Sequence, residues 1–286
     1  MQNVHRFCEI MANEGLKEAM KSMYGYLKRQ GIKQIGHLRN RLDRIYYQLK
    51  YGKAAPEPYR IIYIDPNEVD WMLIPRFLKS KHRKSVICSG EWDKIYSDEP
   101  SHKLRFYRNK AEMEPRLVSI ENFTLYQSFR SHFVDGIPWE ETKIYHVLLD
   151  TDQSSRYTSE NAIKKRFVKI DQLFNHIKEH GYMSQRELVE NPNAPLSQNI
   201  HTSRYPPEHH EVWIHLGRGG EPIFCTGQHR FSIARTLGIE RIPVKVHIRH
   251  KIWQDIRYRI LNERDVDSPH AKHPDVKYLI KDSFRF

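Results

Sequence analysis

The sequence is poor in cysteine. Its three cysteines, Cys8, Cys88 and Cys225, lie far apart and form no CxxC pair. An odd number of widely spaced cysteines excludes a disulfide framework and a zinc finger built on paired cysteines, and it is typical of a reducing compartment. We therefore expect a cytoplasmic protein in which Cys225 is a buried, inert thiol.

Long apolar runs are also missing. No stretch approaches the roughly 18 consecutive apolar residues of a spanning helix, so we expect no membrane span. The opening residues MQNVHRFCEI lack the apolar core of a secretory signal. Hydrophobic residues make up 39% of the chain and charged residues 29%, a composition that excludes a largely disordered protein.

What the sequence has in excess is positive charge. It contains 47 Lys and Arg against 35 Asp and Glu, a formal net charge of +12, and its isoelectric point is near 9.5. Such a balance favours polyanionic partners, namely nucleic acid, nucleotides or anionic surfaces, without choosing among them.

The spacing of apolar residues predicts two helices within residues 9–50. The second carries its apolar residues at helical intervals: Leu38, Leu42, Ile45 and Leu49. Arg39, Arg41 and Arg44 lie off this stripe. They form either a solvated basic face or a surface that contacts a nucleic-acid backbone.

The patterns together predict an α+β fold in four parts. These are a basic helical hairpin (1–53), a mixed α/β region of unknown role (54–155), a domain of alternating helices and strands (156–250) and a C-terminal helical extension (251–286). Short strands are predicted at 61–64 and 86–88, and a helix at 125–133.

Residues 160–250 carry the most informative pattern. They predict an amphipathic helix that ends at Gly181, a half-buried strand at 212–216, a hairpin return at 222–225, a helix that ends at Gly238 and a final strand at 242–248. The hairpin strand runs through Thr226 into a glycine turn, and the next helix follows at once.

A strand that enters a helix through such a turn is suited to anions, because the first N–H groups of a helix have no intrahelical acceptor and the helix dipole is positive there. Gly227 permits close approach of a ligand, Gln228 can donate and accept, His229 can move a proton, and Arg230 offers a planar fork for phosphate oxygens. The alternative is a capped helix start with solvated side chains.

The run TGQHRFSIARTLGIERIPVKV resembles the second conserved box of the ParB/sulfiredoxin-like superfamily, with its G-x-x-R turn, helix, Leu-Gly break and Ile-Pro-Val strand. IDQLFNHIKEHGYMSQREL resembles the first helix of the same superfamily. The resemblance covers roughly residues 160–250 and implies that residues 156–250 form a ParB/sulfiredoxin-like nucleotide-binding domain. It implies that the phosphates of ATP or CTP bind at Thr226, Gly227, Gln228, His229 and Arg230.

Departures from the family narrow what the resemblance implies. Sulfiredoxins carry their catalytic cysteine where this chain has Gln228, so sulfinic-acid reduction is not expected. ParB-type partition proteins have Gly-Glu-Arg-Arg at the turn and a sizeable helix-turn-helix domain after it. The residues that follow Val246 are too few for that domain, so we do not expect sequence-specific partition binding unless the N-terminal helices read DNA.

The turn is most similar to that of the free-serine-kinase branch, which reads Gly-His-His-Arg followed by an aromatic residue. Kinases of that branch place a catalytic glutamate shortly before the first helix. Glu160 is the nearest candidate for this general base, with Asp171 second and His229 as a further catalytic group. The competing interpretation of Glu160 is that Thr158-Ser159-Glu160 opens a helix.

The metal content is left open by the sequence. The 17 histidines include no HExxH helix and no His set joined to a cysteine pair, so we expect them at the surface or in hydrogen bonds. A Mg²⁺ ion held mainly by nucleotide phosphates would leave almost no sequence pattern.

The sequence leaves three functions open. The first is an enzyme that binds a nucleoside triphosphate and transfers its terminal phosphoryl group to a hydroxyl acceptor, or hydrolyses it. The second is a nucleic-acid-binding protein, a nucleotide-switched clamp or a nuclease, that uses the basic N-terminal helices. The third is a regulator that has kept the fold and lost the chemistry.

Overall fold

The computed structural model describes residues 45–57, 59–75, 86–105, 114–150, 159–191, 193–194, 206–263 and 267–283. The chain divides into two compact units, Met1–Ala55 and Pro56–Phe286. Arg39, Arg41 and Arg44, the first predicted helix and most of the predicted polar loop before Pro207 lie outside the described residues.

In the first unit, residues 45–51 are helical, in agreement with the end of the second predicted helix. The predicted apolar stripe is wrong there, because Leu49 is 85% exposed and Ile45 46% exposed. Tyr47 and Tyr51 are the buried residues instead, and their rings stack with centroids 6.4 Å apart. The face of this helix that is buried therefore carries the two tyrosine rings and not the aliphatic side chains.

The second unit contains a mixed sheet and helices, which confirms the α+β class. Its described strands are β1 (Ile61–Ile64), β2 (Trp71–Ile74), β3 (Ile87–Cys88), β4 (Tyr96–Ser97), β5 (Arg116–Ser119), β6 (Val212–Leu216), β7 (Pro222–Thr226) and β8 (Ile242–His250). Its described helices are α1 (Ser101–Arg105), α2 (Thr124–Phe133), α3 (Lys143–Leu149), α4 (Glu160–His180), α5 (Gln185–Glu190), α6 (Gln228–Thr236), α7 (Lys251–Asn262) and α8 (Pro274–Ser283).

The described strands form one eight-stranded sheet in the order β1-β8-β6-β7-β2-β5-β4, with β3 paired to β8. The predicted hairpin is the antiparallel pair β6–β7, while β8 runs parallel to β6. Strand β2 pairs in parallel with the outer side of β7. The strands of residues 54–155 thus belong to the same sheet as those of residues 156–250.

Several local predictions are confirmed by these elements. The strand at 61–64, the helix ending at Phe133, and the helix that ends at Gly181 with φ +76 all appear as expected. The prediction for β6 is wrong in one respect. A half-buried strand was expected to expose His215, but this residue is fully buried. Trp92, which belongs to a second apolar cluster, packs edge-on against the His215 ring with centroids 5.9 Å apart.

One face of the sheet packs against α2, α4 and α6 and forms the main core. Phe224 of β7 stacks on Phe231 of α6 with ring centroids 4.3 Å apart and contacts Phe123 at 5.9 Å. These contacts fix the angle between β7 and α6. The turn that joins them is therefore held by the core.

The predicted helix after His250 is confirmed as α7, and α8 follows it. The two helices are tied to the sheet by Asp275, whose carboxylate accepts hydrogen bonds from Arg249 Nε at 2.9 Å and Trp253 Nε1 at 3.0 Å. Among the described residues, no helix combines the length and apolar character that crossing a bilayer requires.

Candidate functional site

The turn between β7 and α6 depends on a glycine. Gly227 has φ +92, a left-handed conformation that an L side chain rarely adopts. A Cβ atom at this position would lie 2.9 Å from Cα of Val212. Both the backbone conformation and the packing against β6 therefore require glycine.

Helix α6 begins directly after this glycine, and the first helical bond runs from Phe231 N–H to the Gly227 carbonyl at 3.0 Å. The first turn contains no acidic residue. Thr226, Gln228 and His229 are each partly exposed around it. The positive end of the α6 dipole consequently faces a partly solvated surface that no carboxylate of that turn neutralises.

Arg166 of α4 reaches this surface. Its Nη2 atom lies 2.9 Å from Nδ1 and 3.1 Å from Nε2 of His229. A guanidinium group can only donate, so a ring nitrogen that accepts from it carries no proton. Phe129 of α2 stacks on the same imidazole, with ring centroids 6.2 Å apart. Two helices thus position the imidazole.

The sequence patterns did not point to Arg166. It borders the buried stripe of an amphipathic helix, between Ile163 and Ile170, more than sixty residues before the turn. An arginine at such a border is typical of a solubilising side chain. Its contact with His229 joins residues 63 positions apart, so no local signal in the sequence could have found it.

Arg230 points into the protein. It is 4% exposed, its Nη1 donates to Glu211 Oε2 at 3.1 Å, and its Nη2 donates to the Met183 carbonyl. Its guanidinium carbon also lies 4.3 Å from the centroid of the Tyr182 ring. A phosphate at the surface of the turn would meet this guanidinium only if the pair with Glu211 opened.

Glu211 receives a further hydrogen bond from α5. The backbone N–H of Gln185 donates to Oε1 at 2.5 Å. Burial raises the pKa of Glu211, and Arg230 and this backbone donor oppose that effect only in part. Burial likewise raises the pKa of Tyr182 well above its ordinary value. The ion pair of Arg230 and Glu211 is therefore buried away from water, and it connects the start of β6 with the start of α6.

Glu160 is the first residue of α4, and Ser159 caps the helix by accepting from the Ala162 N–H. Its Oε1 accepts from Tyr145 Oη at 2.9 Å and lies 3.0 Å from Lys164 Nζ. These two donors, the lysine first, lower the pKa of Glu160. A carboxylate with a lowered pKa is a weaker base than an ordinary one.

Asp171 lies on the same helix but belongs to a different environment. It accepts a hydrogen bond from Trp139 Nε1 at 2.8 Å, and its Oδ1 is 3.4 Å from His132 Nε2. Along the helix axis, Glu160 and Asp171 are about 9 Å and 8 Å from Arg166, in opposite directions. The contacts described for these two carboxylates do not include His229.

A second group of chemically active side chains occupies the opposite face of the sheet. His215 of β6, Cys225 of β7 and His247 of β8 have potential ligand atoms that all lie within 4.8 Å of one another. His215 and Cys225 are fully buried and His247 is partly exposed. Cys225 is buried as predicted. Of the two places expected for the histidines, the surface or a hydrogen-bonded position, His215 does not occupy the first.

Burial dominates the electrostatics around this group. It lowers the pKa of His247 to about 2, with smaller effects from His215 and Lys245. It also lowers the pKa of His209 to about 4. Both imidazoles are therefore neutral at physiological pH, which is the form that binds metal ions. Lys245 lies over the Trp213 ring with its Nζ 3.9 Å from the centroid.

Comparison with known proteins gives no neighbour: no protein-family model, no curated protein and no solved structure matches this chain. The chemistry of the site therefore has to be inferred from its own residues and geometry.

Proposed function

We propose that this chain is a nucleoside-triphosphate-binding enzyme of the ParB/sulfiredoxin-like type. It binds ATP or CTP with Mg²⁺ at the turn between β7 and α6 and transfers or hydrolyses the terminal phosphoryl group. The acceptor of a transfer is a hydroxyl group.

The observation that carries the proposal is the convergence of positive charge at the start of α6. The positive end of the α6 dipole lies at the glycine turn. The guanidinium of Arg166 lies beside it, with Nη2 2.9 Å from Nδ1 of His229. Anions bind at helix N termini for these electrostatic reasons. A triphosphate, which carries several charges and many acceptor oxygens, fits such a site better than a single carboxylate.

The proposal assigns different roles to the two arginines. Arg166, which is partly exposed, contacts the phosphate oxygens together with backbone N–H groups of the first turn of α6. Arg230 instead holds the turn in place through its bond to Glu211. Thr226 and Gln228 flank the phosphates, and Mg²⁺ is held mainly by the phosphate oxygens.

His229 is positioned to exchange a proton at the phosphate end of the ligand, since Phe129 and Arg166 fix its ring. Glu160, whose side chain is 55% exposed, is the candidate base for an acceptor that approaches from solvent. Asp171 is committed to Trp139 and is given no catalytic role in this proposal.

The test is thermal unfolding of the full chain with ATP, CTP, GTP and ADP, each with Mg²⁺. A ligand that binds the folded state alone at about 100 times its Kd adds about 2.7 kcal/mol of stability. For a protein of this size that is a rise in melting temperature of about 5 °C. We expect such a rise with ATP or CTP.

The variant that reports on the site is Arg166→Ala, because the loss of a charged hydrogen bond of about 1.5–3 kcal/mol weakens affinity at least about tenfold. The matched control is Lys178→Ala. It removes the same charge from the same helix, from an exposed position about 18 Å farther along, and should leave the Kd within about twofold.

Two results would overturn the proposal. One is that no nucleotide raises the melting temperature. The other is that Arg166→Ala and Lys178→Ala bind the nucleotide equally well. If duplex DNA instead binds with an affinity that falls steeply as salt rises, the nucleic-acid-binding hypothesis replaces the nucleotide one.

A further inference from the structure

The histidine–cysteine group on the second face of the sheet consists of His215, Cys225 and His247. It draws one residue from each of three adjacent strands, with β6 in the centre. Residues of neighbouring strands that share a face approach each other closely, because strands lie about 4.8 Å apart. The sheet itself therefore brings two imidazoles and a thiol together.

Two irregularities in strand pairing sharpen this placement. Between β6 and β7 the register moves from Trp213↔Thr226 to Ile214↔Phe224, so that Cys225 is the inserted residue. Between β6 and β8 it moves from Ile214↔Val246 to His215↔Ile248, so that His247 is the inserted residue. An inserted residue re-aims its side chain, and such bulges are frequent next to functional sites.

Both inserted residues flank the same short piece of the central strand, and both belong to the group. The ligand atoms of His215, Cys225 and His247 come within 4.8 Å of one another. In a tetrahedral zinc site, with Zn–N about 2.0–2.1 Å and Zn–S about 2.3 Å, neighbouring ligand atoms lie about 3.4–3.6 Å apart. Side-chain rotations that move these atoms by about 1 Å would close the difference.

We propose that His215, Cys225 and His247 bind one zinc ion, with Cys225 as the thiolate ligand. Two imidazole nitrogens and one sulfur match the ligands that zinc prefers and not the oxygen ligands of Mg²⁺ or Ca²⁺. On binding, the thiol proton of Cys225 passes to solvent and the thiolate sulfur forms the Zn–S bond.

Three protein ligands leave one position of a tetrahedral ion for water or another ligand. The partly exposed His247 is the side from which solvent reaches the group, because His215 and Cys225 are fully buried. Trp92 covers the His215 ring edge-on with centroids 5.9 Å apart, and Trp213 lies 5.0 Å from His247. This aromatic shell limits the ion's contact with bulk water.

The proposal is tested on the full chain, purified with a reductant, stripped with a chelator and titrated with Zn²⁺ or Co²⁺. We expect one equivalent of metal per chain. With Co²⁺ we expect the thiolate-to-cobalt charge-transfer band in the near ultraviolet and the visible d–d bands of a tetrahedral ion. The charge-transfer band reports a cysteine ligand, so histidines elsewhere that bind cobalt do not mimic it.

Cys225→Ser should abolish the charge-transfer band, and Cys88→Ser should keep it. Cys88 is a matched control, since it is also a buried thiol and packs on the same face of the sheet but lies outside the group. His247→Ala, at the partly exposed position, should weaken zinc affinity by more than about 100-fold, beyond the loss typical of an outer-shell change. If Cys225→Ser does not fold, the zinc affinity of His247→Ala still tests the site.

The proposal is overturned if the wild-type chain shows no charge-transfer band with cobalt, if Cys225→Ser retains the band, or if His247→Ala leaves the zinc affinity unchanged. A chain that takes up copper(I) but neither zinc nor cobalt would overturn the assignment to zinc. None of these outcomes depends on nucleotide binding, so the metal site and the proposed function stand or fall separately.

Discussion

Arg230 and Glu211 form an ion pair inside the protein: Nη1 and Oε2 are 3.1 Å apart, and the two side chains are 4% and 1% exposed. Arg230 belongs to the first turn of α6, and Glu211 directly precedes β6. The pair therefore joins the candidate phosphate-binding turn to the start of strand β6. The arginine of the G-x-x-R pattern thereby acquires a structural role that does not require a ligand.

Arg230→Ala should destabilise the protein strongly. Removing the guanidinium leaves a buried carboxylate without its counter-charge, which typically costs about 3–5 kcal/mol. We expect urea unfolding to show a loss of that size. Replacing both partners by uncharged residues, as in Arg230→Met with Glu211→Gln, should recover much of it, because neither charge then remains to be desolvated and an amide oxygen can still accept from the Gln185 N–H.

The control for this prediction is Arg130→Ala on α2. Arg130 also pairs with a glutamate, Glu121, at 3.6 Å, but both side chains are more than half exposed. Exposed pairs contribute at most about 1 kcal/mol. Equal losses for Arg230→Ala and Arg130→Ala would contradict the structural role of Arg230.

Asp171 offers a second test that separates structure from catalysis. Its Oδ1 accepts from Trp139 Nε1 at 2.8 Å, and Trp139 is 6% exposed. Asp171→Asn keeps an amide oxygen for this bond and should change the free energy of unfolding by less than about 1 kcal/mol. Asp171→Ala leaves a buried indole N–H without an acceptor and should cost about 1–3 kcal/mol. The reverse order of the two variants would refute this role.

The local elements of residues 160–250 could be predicted because their signals are local. Gly181 ends α4, Gly227 separates β7 from α6, and the hairpin is a short turn between two apolar runs. Each signal lies within a few residues of the structure that it determines. The same holds for β1, which ends at the Asp65-Pro66 turn.

The pairing of the sheet could not be predicted in this way. Trp71 pairs with Ile223 and Cys88 with His250, contacts that join residues more than 150 positions apart. Such pairings depend on the whole chain and leave no periodic pattern within either strand. For this reason residues 54–155 were predicted as a separate region.

The same difference between local and long-range signals separates the candidate sites that could be predicted from those that could not. The glycine turn was found because it is contiguous in the sequence. Arg166 and the group of His215, Cys225 and His247 were missed because their members meet only after α4 and three strands have packed. For Cys225 and His247 the placement also depends on inserted residues, which strand alternation does not reveal.

Gly227→Ala tests the turn directly. The alanine would have to adopt φ +92, and its Cβ would lie 2.9 Å from Val212 Cα. The conformational cost of about 1–2 kcal/mol and the steric clash should add up to a loss of several kcal/mol in urea unfolding.

Gly238→Ala is the matched control, since φ is +65 there and its Cβ would meet no described atom within 4 Å. It should cost only about 1–2 kcal/mol, and similar losses at both positions would refute the clash.

Asp275 should make stability depend on acid pH. Burial on its own would raise the pKa of Asp275, but Arg249 and Arg257 more than compensate and lower it from 3.8 to about 2. A carboxylate with a lowered folded pKa stabilises the protein above its unfolded pKa and loses that contribution as pH falls toward the folded pKa. The contribution is about 2 kcal/mol, fully present above about pH 5 and lost as the pH falls toward 2.

In urea unfolding, the difference in the free energy of unfolding between the wild type and Asp275→Asn should narrow by this amount between about pH 5 and pH 2. A constant difference for Asp275→Asn would show that Arg249 and Arg257 do not hold Asp275 ionised as described.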